Sequence, residues 1–130
     1  MIIDSSALIA VALREPGYEI LEQLLVSDLA CKISAPTFLE VSIVLLSRTG
    51  PEGVLLWESM VRRLGISIKP FTEDHALIAR QAFSDYGKGR HPAGINFGDC
   101  FSYALSKASG ESLLFKGDDF RKTDVLPALS

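Results

Sequence analysis

The chain of 130 residues begins MIIDSSALIA (residues 1–10), and this stretch decides the class of fold. Residues 1–3 are apolar and leave room only for a very short buried strand, while residues 5–13 have the composition of a helix. Asp4 stands at the junction between them. Ligands of open α/β sheets gather beyond the carboxyl ends of the strands, so Asp4 is either a cap for the following helix or part of a functional site.

Short apolar strands alternate with amphipathic helices along the rest of the chain. Further strands are predicted at residues 32–35, 66–69 and 112–115. Helices are predicted at residues 18–29, 36 to about 48, 52–64, 73–86 and 99–108, with Gly50-Pro51 ending the second of them. This alternation predicts a single α/β domain over residues 1–130, with a short, mostly parallel sheet between two helical layers.

Composition limits the classes of function. The formal charge of −3 and the pI near 5.3 argue against nonspecific coating of nucleic acid, because that binding scales with the number of phosphates neutralised. Cys31 and Cys100 lie far apart in a chain large enough to need no disulfide, which favours a reducing compartment. No apolar run approaches the roughly 18 to 20 residues of a membrane span, and no secretory leader is visible, so the sequence predicts a soluble, cytoplasmic protein.

Glu40 is the acid that capping explains least well. It lies inside PTFLEVSIVLLSR (residues 36–48), whose apolar residues point in nearly every direction. We therefore expect little of this helix to face water and Glu40 to be largely buried. No Lys or Arg lies three or four positions away along the helix. Because a buried, unpaired carboxylate is costly, a cation from elsewhere in the fold is expected to compensate it. The structural alternatives are a tertiary salt bridge to Arg62, Arg80 or another distant base, or an exposed stripe one residue wide along the helix.

Other acids follow the same pattern as Asp4. Asp99 stands in NFGDC (residues 96–100) at the predicted start of an apolar helix, where capping is again the simple interpretation. Asp118 and Asp119 come just beyond the last predicted strand, in LLFKGDDF (residues 113–120). All of these carboxylates are therefore expected near the carboxyl edge of the sheet.

If the strand ends converge, these acids crowd a single pocket. Carboxylates at such short distances repel each other strongly, so the cluster is expected to be stable chiefly when a divalent cation neutralises it. Oxygen-only ligands favour Mg²⁺ or Mn²⁺ over zinc. One or two such ions can activate water against a phosphodiester. The predicted cluster consists of Asp4, Glu40, Asp99 and one of Asp118 or Asp119.

Nearby polar and basic residues are candidates for supporting roles. Ser5, Asn96 and Ser102 can orient water or substrate, with ordinary capping and turn chemistry as the alternative. A basic loop and the segment after the last acidic turn can contact phosphates, with a solvated surface as the alternative. These basic candidates are Lys88, Arg90, His91 and Arg121.

Four blocks in this order resemble the PIN-domain ribonucleases, and specifically the VapC toxins of bacterial toxin–antitoxin pairs: MIIDSSALIA, PTFLEV, GKGRHPAGINFGDCFSYALS and LLFKGDDFRKTDV. The resemblance spans nearly the whole chain. It implies a PIN-like three-layer α/β/α domain and a Mg²⁺- or Mn²⁺-dependent endoribonuclease. It also implies an RNA substrate, a homodimer, and a VapB antitoxin whose C-terminal segment covers the active site.

The resemblance also assigns the acids. It makes Asp4, Glu40 and Asp99 residues of the metal site. Many PIN domains place the fourth acid where Gly117 stands here, whereas a subgroup with a G-x-D-F turn matches Asp119, which we therefore prefer to Asp118.

Three other classes fit parts of the sequence. A phosphatase-like hydrolase would use Asp4 as its nucleophile, but it generally has a second acid where Ser6 stands. A phospho-receiver module would have an acid pair near the first strand and a Lys after a late strand. A non-catalytic binding module accounts for acids that cap helices, but Glu40 lies too deep in its helix to cap anything.

Overall fold

The computed structural model describes residues 1–129. Four strands, five helices and one 3₁₀ turn are present in this part of the chain. In chain order they are β1 Ile2–Ile3, α1 Ser5–Ala12, α2 Tyr18–Ser27, β2 Lys32–Ser34, α3 Ala35–Arg63, β3 Ser67–Lys69, α4 Glu73–Tyr86, α5 Phe97–Ser109, β4 Leu113–Leu114 and the turn Asp119–Lys122.

The four strands form a parallel sheet in the order β3-β2-β1-β4. Ile2 lies opposite Lys32 of β2 and Leu113 of β4, so the short first strand occupies the middle of the sheet. Parallel strands joined by helical connections place helices on the faces of the sheet. The prediction of a short, mostly parallel sheet is confirmed.

The side chains of neighbouring strand residues enter two separate cores. Ile3, Ile33 and Leu114 pack with residues of α1, α2 and α3, whereas Ile2 and Leu113 pack with residues of α4 and α5. This is the period-two alternation of strands that are buried on both faces. The predicted three-layer α/β/α arrangement is therefore confirmed.

The predicted stop at Gly50-Pro51 is confirmed: the backbone leaves the helical conformation at Gly50, so α3 consists of two helices joined at a kink. Gly50 has φ 73° and ψ −171°, a combination open essentially only to glycine. Pro51 follows at a first helical position, where its missing N–H does no harm. The kink lets Trp57 of the second half pack back on the first, where its Nε1 donates to Ser42 Oγ over 3.1 Å.

The first half of α3 presents an apolar surface to solvent. Leu39, Ile43 and Leu46 are 58%, 54% and 52% exposed, so the expectation that the apolar residues of this helix leave little facing water is wrong. No other element of residues 1–129 covers these three side chains. An exposed apolar surface of this kind usually contacts another molecule. Within the same residues, none of the helices is both long enough and apolar enough to cross a bilayer.

Candidate metal centre

Asp4 lies at the carboxyl end of β1 and is only 1% exposed. Its Oδ2 accepts hydrogen bonds from Ser6 N (3.0 Å) and Ser6 Oγ (2.7 Å), and Ser6 Oγ in turn accepts from Lys116 N (3.0 Å). Its Oδ1 is buried and accepts no hydrogen bond within residues 1–129. Asp4 therefore caps α1 with one oxygen and has the other available for a ligand.

Glu40 lies in the first half of α3 and is half-buried rather than largely buried. Its Oε1 is nevertheless enclosed and accepts no hydrogen bond in the described chain. Burial raises the pKa of Glu40; the Ser5 hydroxyl opposes this rise and the negative charge of Asp4 adds to it. The carboxylate is thus held close to Asp4 in a place that disfavours its charge.

No side-chain cation within residues 1–129 compensates Glu40. The ion pairs of residues 1–129 leave it out, so the suggested tertiary salt bridge to Arg62 or Arg80 is wrong. Arg62 lies beyond the α3 kink, and Arg80 lies on α4. The compensating cation that the sequence predicts is therefore not a Lys or Arg of this part of the chain.

Asp99 is the third residue of α5, because the helix begins two residues earlier than predicted. Asn96 is the cap: its Oδ1 accepts from Asp99 N, and Asp99 Oδ2 accepts from Asn96 N, each over 2.9 Å. Such a reciprocal capping box satisfies two backbone donors at the helix start. Asp99 thus has a structural role that engages one carboxylate oxygen.

Electrostatics link Asp99 to the other acids. Burial raises the pKa of Asp99 to about 7; the hydrogen bond from Asn96 N opposes the rise, and the charges of Asp4, Asp119 and Glu40 add to it. The fold therefore brings three other carboxylates, from separate parts of the chain, close enough for each to disfavour the ionisation of Asp99.

The last acidic turn contributes Asp119 rather than Asp118 to this electrostatic cluster. Both side chains belong to exposed residues beyond β4, but Asp119 is the one whose charge acts on Asp99. This agrees with the preference for Asp119 that the G-x-D-F turn suggested.

Gly98 is a site residue that the sequence indicates only weakly. A Cβ atom at Gly98 would come within 2.7 Å of Glu40 Oε2 and 3.0 Å of Oε1. The glycine therefore allows the start of α5 to approach the carboxylate of α3. Gly98 is adjacent to Asp99 in NFGDC, but only the packing of α3 against α5 reveals what it accommodates.

The donor chemistry of the cluster fits a hard divalent cation. Within residues 1–129, no three Asp, Glu, His or Cys side chains are already arranged closely enough to bind one metal ion together. Two buried carboxylate oxygens, Asp4 Oδ1 and Glu40 Oε1, nevertheless lack partners, and no ion pair of these residues neutralises the acids. Oxygen donors with net negative charge are what Mg²⁺ and Mn²⁺ select.

The supporting residues lie behind the acids. Ser5 is buried next to Glu40, and Asn96 forms the capping box. Ser102 is buried one turn after Asp99, with its Oγ 3.5 Å from Thr37 Oγ1. Thr37 in turn lies one helical turn before Glu40, so a hydroxyl pair joins α3 and α5 beneath the two carboxylates.

The basic candidates divide into two groups. Lys88 and Arg90 are exposed and take part in none of the ion pairs of residues 1–129. His91 Nδ1 accepts from Ala93 N over 3.0 Å, and Arg121 donates to Leu129 O over 3.1 Å. The first pair is therefore free to contact a ligand, whereas the second pair already stabilises local backbone.

Comparisons with known proteins agree with this geometry. The PIN-domain family profile matches residues 1–126. Ribonuclease VapC of Mycolicibacterium smegmatis is 46% identical over 125 residues, which make up 96% of this chain and 97% of the relative.

Solved structures share the fold at much lower sequence identity. Mycobacterium tuberculosis VapC20, described as a sarcin-ricin loop cleaving toxin, gives a TM-score of 0.78 at 16% identity over 96% of this chain and 95% of its own. VapBC2 from Rickettsia felis, bound to a promoter DNA fragment, gives 0.76 at 12% identity over 97% and 94%.

The sheet, its acidic edge and these matches define a class of nuclease domain, and the chain belongs to the PIN-domain family. Within that family it is a VapC-type ribonuclease, as its extended similarity to curated proteins of that name shows. Ribonucleases of this kind generally depend on divalent metal ions. The family profile and the similar proteins give no support to the phosphatase and phospho-receiver alternatives.

Proposed function

We propose that residues 1–130 form one PIN domain that acts as the toxin of a type II toxin–antitoxin pair by hydrolysing RNA phosphodiester bonds with Mg²⁺ or Mn²⁺. The observation that carries this proposal is the pair of buried, unpartnered oxygens, Asp4 Oδ1 and Glu40 Oε1. They lie beside Asp99, whose pKa of about 7 reflects burial among other acids. A divalent cation would supply the positive charge that no Lys or Arg of residues 1–129 provides to these acids.

Four carboxylates would hold the ion: Asp4, Glu40, Asp99 and Asp119. A bound cation would supply Lewis acidity toward the phosphodiester, the attacking water and the leaving oxygen. Ser6 fixes one oxygen of Asp4, and Asn96 N fixes one oxygen of Asp99. These hydrogen bonds orient both carboxylates before the ion arrives, which lowers the cost of assembling the site.

The direct test is cleavage of RNA by the purified protein. We expect cleavage with Mg²⁺ or Mn²⁺ and none with EDTA. Asp4→Asn and Asp99→Asn should each lose more activity than the roughly 10- to 100-fold that loss of an outer-shell partner causes. Asp85→Asn is the matched control, because this surface acid accepts from Gln81 on α4 and should leave cleavage unchanged.

Other outcomes separate the rival activities. Full activity in both Asp4→Asn and Asp99→Asn would exclude the acidic site as the catalytic centre. Phosphate release from small phosphomonoesters, with RNA untouched, would favour the phosphatase that uses Asp4 as nucleophile. A stable phosphoryl group on Asp4 would favour the receiver module.

Two basic residues are proposed to bind phosphates that flank the scissile bond. Lys88 and Arg90 lie in the loop before α5, and their side chains take part in no ion pair of residues 1–129. His91 and Arg121 are proposed to assist from the positions where they stabilise the backbone. Lys88→Ala and Arg90→Ala should each weaken RNA binding and reduce its dependence on salt concentration.

The proposed protein partner is a VapB-type antitoxin whose C-terminal segment covers the acidic site. The support is the structural likeness to a VapBC complex together with charge, because the carboxylates of the site lack a cation of their own. A basic residue of the antitoxin would complement them. Co-expression of a neighbouring open reading frame should yield a complex that copurifies and no longer cleaves RNA.

A second copy of the chain is the proposed cover for the exposed apolar face of α3. Leu39 and Ile43 lie beside Phe97, which is 77% exposed at the start of α5, and Leu46 continues this surface toward Leu55. Contiguous apolar surface of this kind marks interfaces. Ile43→Glu should convert a dimer to a monomer in light scattering, whereas Val26→Glu on α2, equally exposed, should not.

We also propose a cytoplasmic location, where the RNA substrate resides. Cys31 and Cys100 are both buried free thiols, which suits a reducing compartment. Fractionation of cells that express the chain together with its antitoxin tests this assignment.

A further inference from the structure

We propose that Ser34 is a positioning residue of the cation site, and that its hydroxyl shares one buried water molecule with Asp4 Oδ1. The inference rests on the proposed function and adds to it a residue outside the four acids. Ser34 is the last residue of β2 and is 2% exposed.

The strand register brings Ser34 to Asp4. Ile2 lies opposite Lys32 in the parallel pair of β1 and β2, so Asp4 and Ser34, each two residues further on, stand at the same level. Both residues have extended backbone dihedrals, so the register carries through to them. Side chains at one level of a parallel pair point to the same face of the sheet.

That face is the one covered by α5. Ile2 packs with residues of α4 and α5, and Asp4 is two residues beyond it. Ile33 enters the opposite core, so the neighbouring Ser34 points away from that core and toward α5 as well. Asp99 and Ser102 lie on α5, so the Ser34 side chain points toward the helix that carries part of the acidic site.

The ordinary reason for a serine at this position does not apply. Ser34 is the N-cap residue of α3, but its side chain makes no capping hydrogen bond. A cap accepts from the second or third helical N–H, and the second helical residue here is Pro36, which has none. Ser34 Oγ is instead buried without any hydrogen-bond partner in residues 1–129.

Asp4 Oδ1 and Ser34 Oγ are both buried without a hydrogen-bond partner at the same level of the sheet, so one molecule can bond to both. Asp4 Oδ1 accepts only, and Ser34 Oγ both donates and accepts, so a water molecule can bond to both. A buried water needs two to four polar partners, and the hydroxyls of Thr37 and Ser102 meet where α3 contacts α5. Mg²⁺ usually retains several waters, so a water held here suits the proposed ion.

The test is Mn²⁺ binding to the metal-free protein, measured by calorimetry and by electron paramagnetic resonance, with thermal unfolding in EDTA as the second readout. We expect Ser34→Ala to weaken Mn²⁺ binding by roughly 10- to 100-fold, the usual effect of losing an outer-shell partner. Its unfolding temperature in EDTA should fall less than that of a variant that loses a direct protein hydrogen bond, because only the bond to the shared water is lost. Ser34→Thr, which keeps the hydroxyl, should retain most of the affinity.

Ser106→Ala is the matched control. Ser106 is equally buried, but its Oγ donates to Glu111 O over 2.7 Å, away from the acids. It should lower the unfolding temperature in EDTA and leave Mn²⁺ affinity unchanged. If Ser34→Ala does not fold, Ser34→Cys keeps the shape but bonds weakly, and it should show the same loss of affinity.

The outcomes separate the two proposals. Wild-type affinity in Ser34→Ala or Ser34→Cys, while the wild-type protein binds Mn²⁺ and cleaves RNA, would overturn the role of Ser34 alone. Failure of the wild-type protein to bind Mn²⁺ would overturn both proposals. Equal losses in Ser34→Ala and Ser34→Thr would show that packing at this position matters rather than the hydroxyl, and would also overturn the inference.

Discussion

The carboxylate of Glu40 occupies the space that a side chain at Gly98 would take. A Cβ atom at Gly98 would stand 2.7 Å from Glu40 Oε2, closer than nonbonded carbon and oxygen atoms approach. The contact joins the first half of α3 to the first turn of α5, which carries Asp99. One glycine therefore sets the spacing between two of the proposed ligands.

Gly98→Ala should weaken metal binding with little loss of stability. The methyl group would meet the end of a flexible side chain, so Glu40 would move aside and the fold would persist. We expect Mn²⁺ affinity to fall by about 10-fold or more, in line with disturbed ligand orientation. The double variant Gly98→Ala with Glu40→Asp shortens the carboxylate and should recover part of the loss in calorimetry. Unchanged affinity in Gly98→Ala would contradict this account.

The metal-free protein should lose stability as the pH rises toward neutrality. The pKa of Asp99 is about 7 in the fold, against an ordinary value of 3.8, so the folded state binds the extra proton between these values. A raised carboxyl pKa contributes stability that is present below the ordinary pKa and is lost as the pH passes the folded pKa. Thermal unfolding in EDTA should therefore shift downward between about pH 4 and about pH 7 and change little above that.

Asp99→Asn is the control for this pH dependence. Without the titrating carboxyl the slope should flatten, although Glu40, whose pKa is also raised by burial, retains part of it. The asparagine can still accept from Asn96 N, so the capping box persists. Identical slopes in both proteins would show that Asp99 does not titrate in this range.

Metal affinity should show the opposite dependence on pH. A carboxylate must lose its proton to bind a cation, so Mn²⁺ and the proton compete for Asp99. Affinity should rise by up to about tenfold per pH unit below neutrality and level off above the pKa of about 7. Calorimetric titrations in buffers of different ionisation enthalpy should reveal close to one proton released at about pH 6. Affinity independent of pH between about 5 and 8 would contradict competition at Asp99.

The kink in α3 should depend on glycine alone. Gly50 has φ 73° with ψ −171°, a combination essentially restricted to glycine, so Gly50→Ala should destabilise the fold by about 1–3 kcal/mol. Asparagine should be no better there. At Gly110, whose φ 72° and ψ 14° are those of a left-handed helix cap, Asn should be tolerated better than Ala. Chemical denaturation of the four variants tests this contrast.

Sequence patterns identified the elements more reliably than their surroundings. The apolar run before Asp4 is enough to predict a buried strand, because three apolar residues directly before a helix are too few for a helix of their own. The start of α5 was misplaced because Asn96 and Asp99 both favour a helix terminus, and only the reciprocal hydrogen bonds show which one is the cap. Hydrophobicity likewise predicted burial for Ile43 without revealing that this chain leaves it uncovered.

The sequence suggests the acids of the proposed site but not the residues that support them. Asp4, Glu40 and Asp99 were conspicuous because each stands where a carboxylate is expensive. The roles of Gly98 and Ser34 depend on how α3 packs against α5 and on the register of β1 with β2, which are long-range relationships. The spacing of residues along the sequence does not reveal these long-range relationships.

The most direct test of the central claim is an anomalous difference map from crystals of this protein soaked in Mn²⁺. The account predicts one or two strong peaks bounded by Asp4, Glu40 and Asp99, and loss of those peaks in Asp99→Asn crystals grown in the same form. A map without a peak among these carboxylates, from crystals whose protein cleaves RNA in the same Mn²⁺ solution, would contradict it.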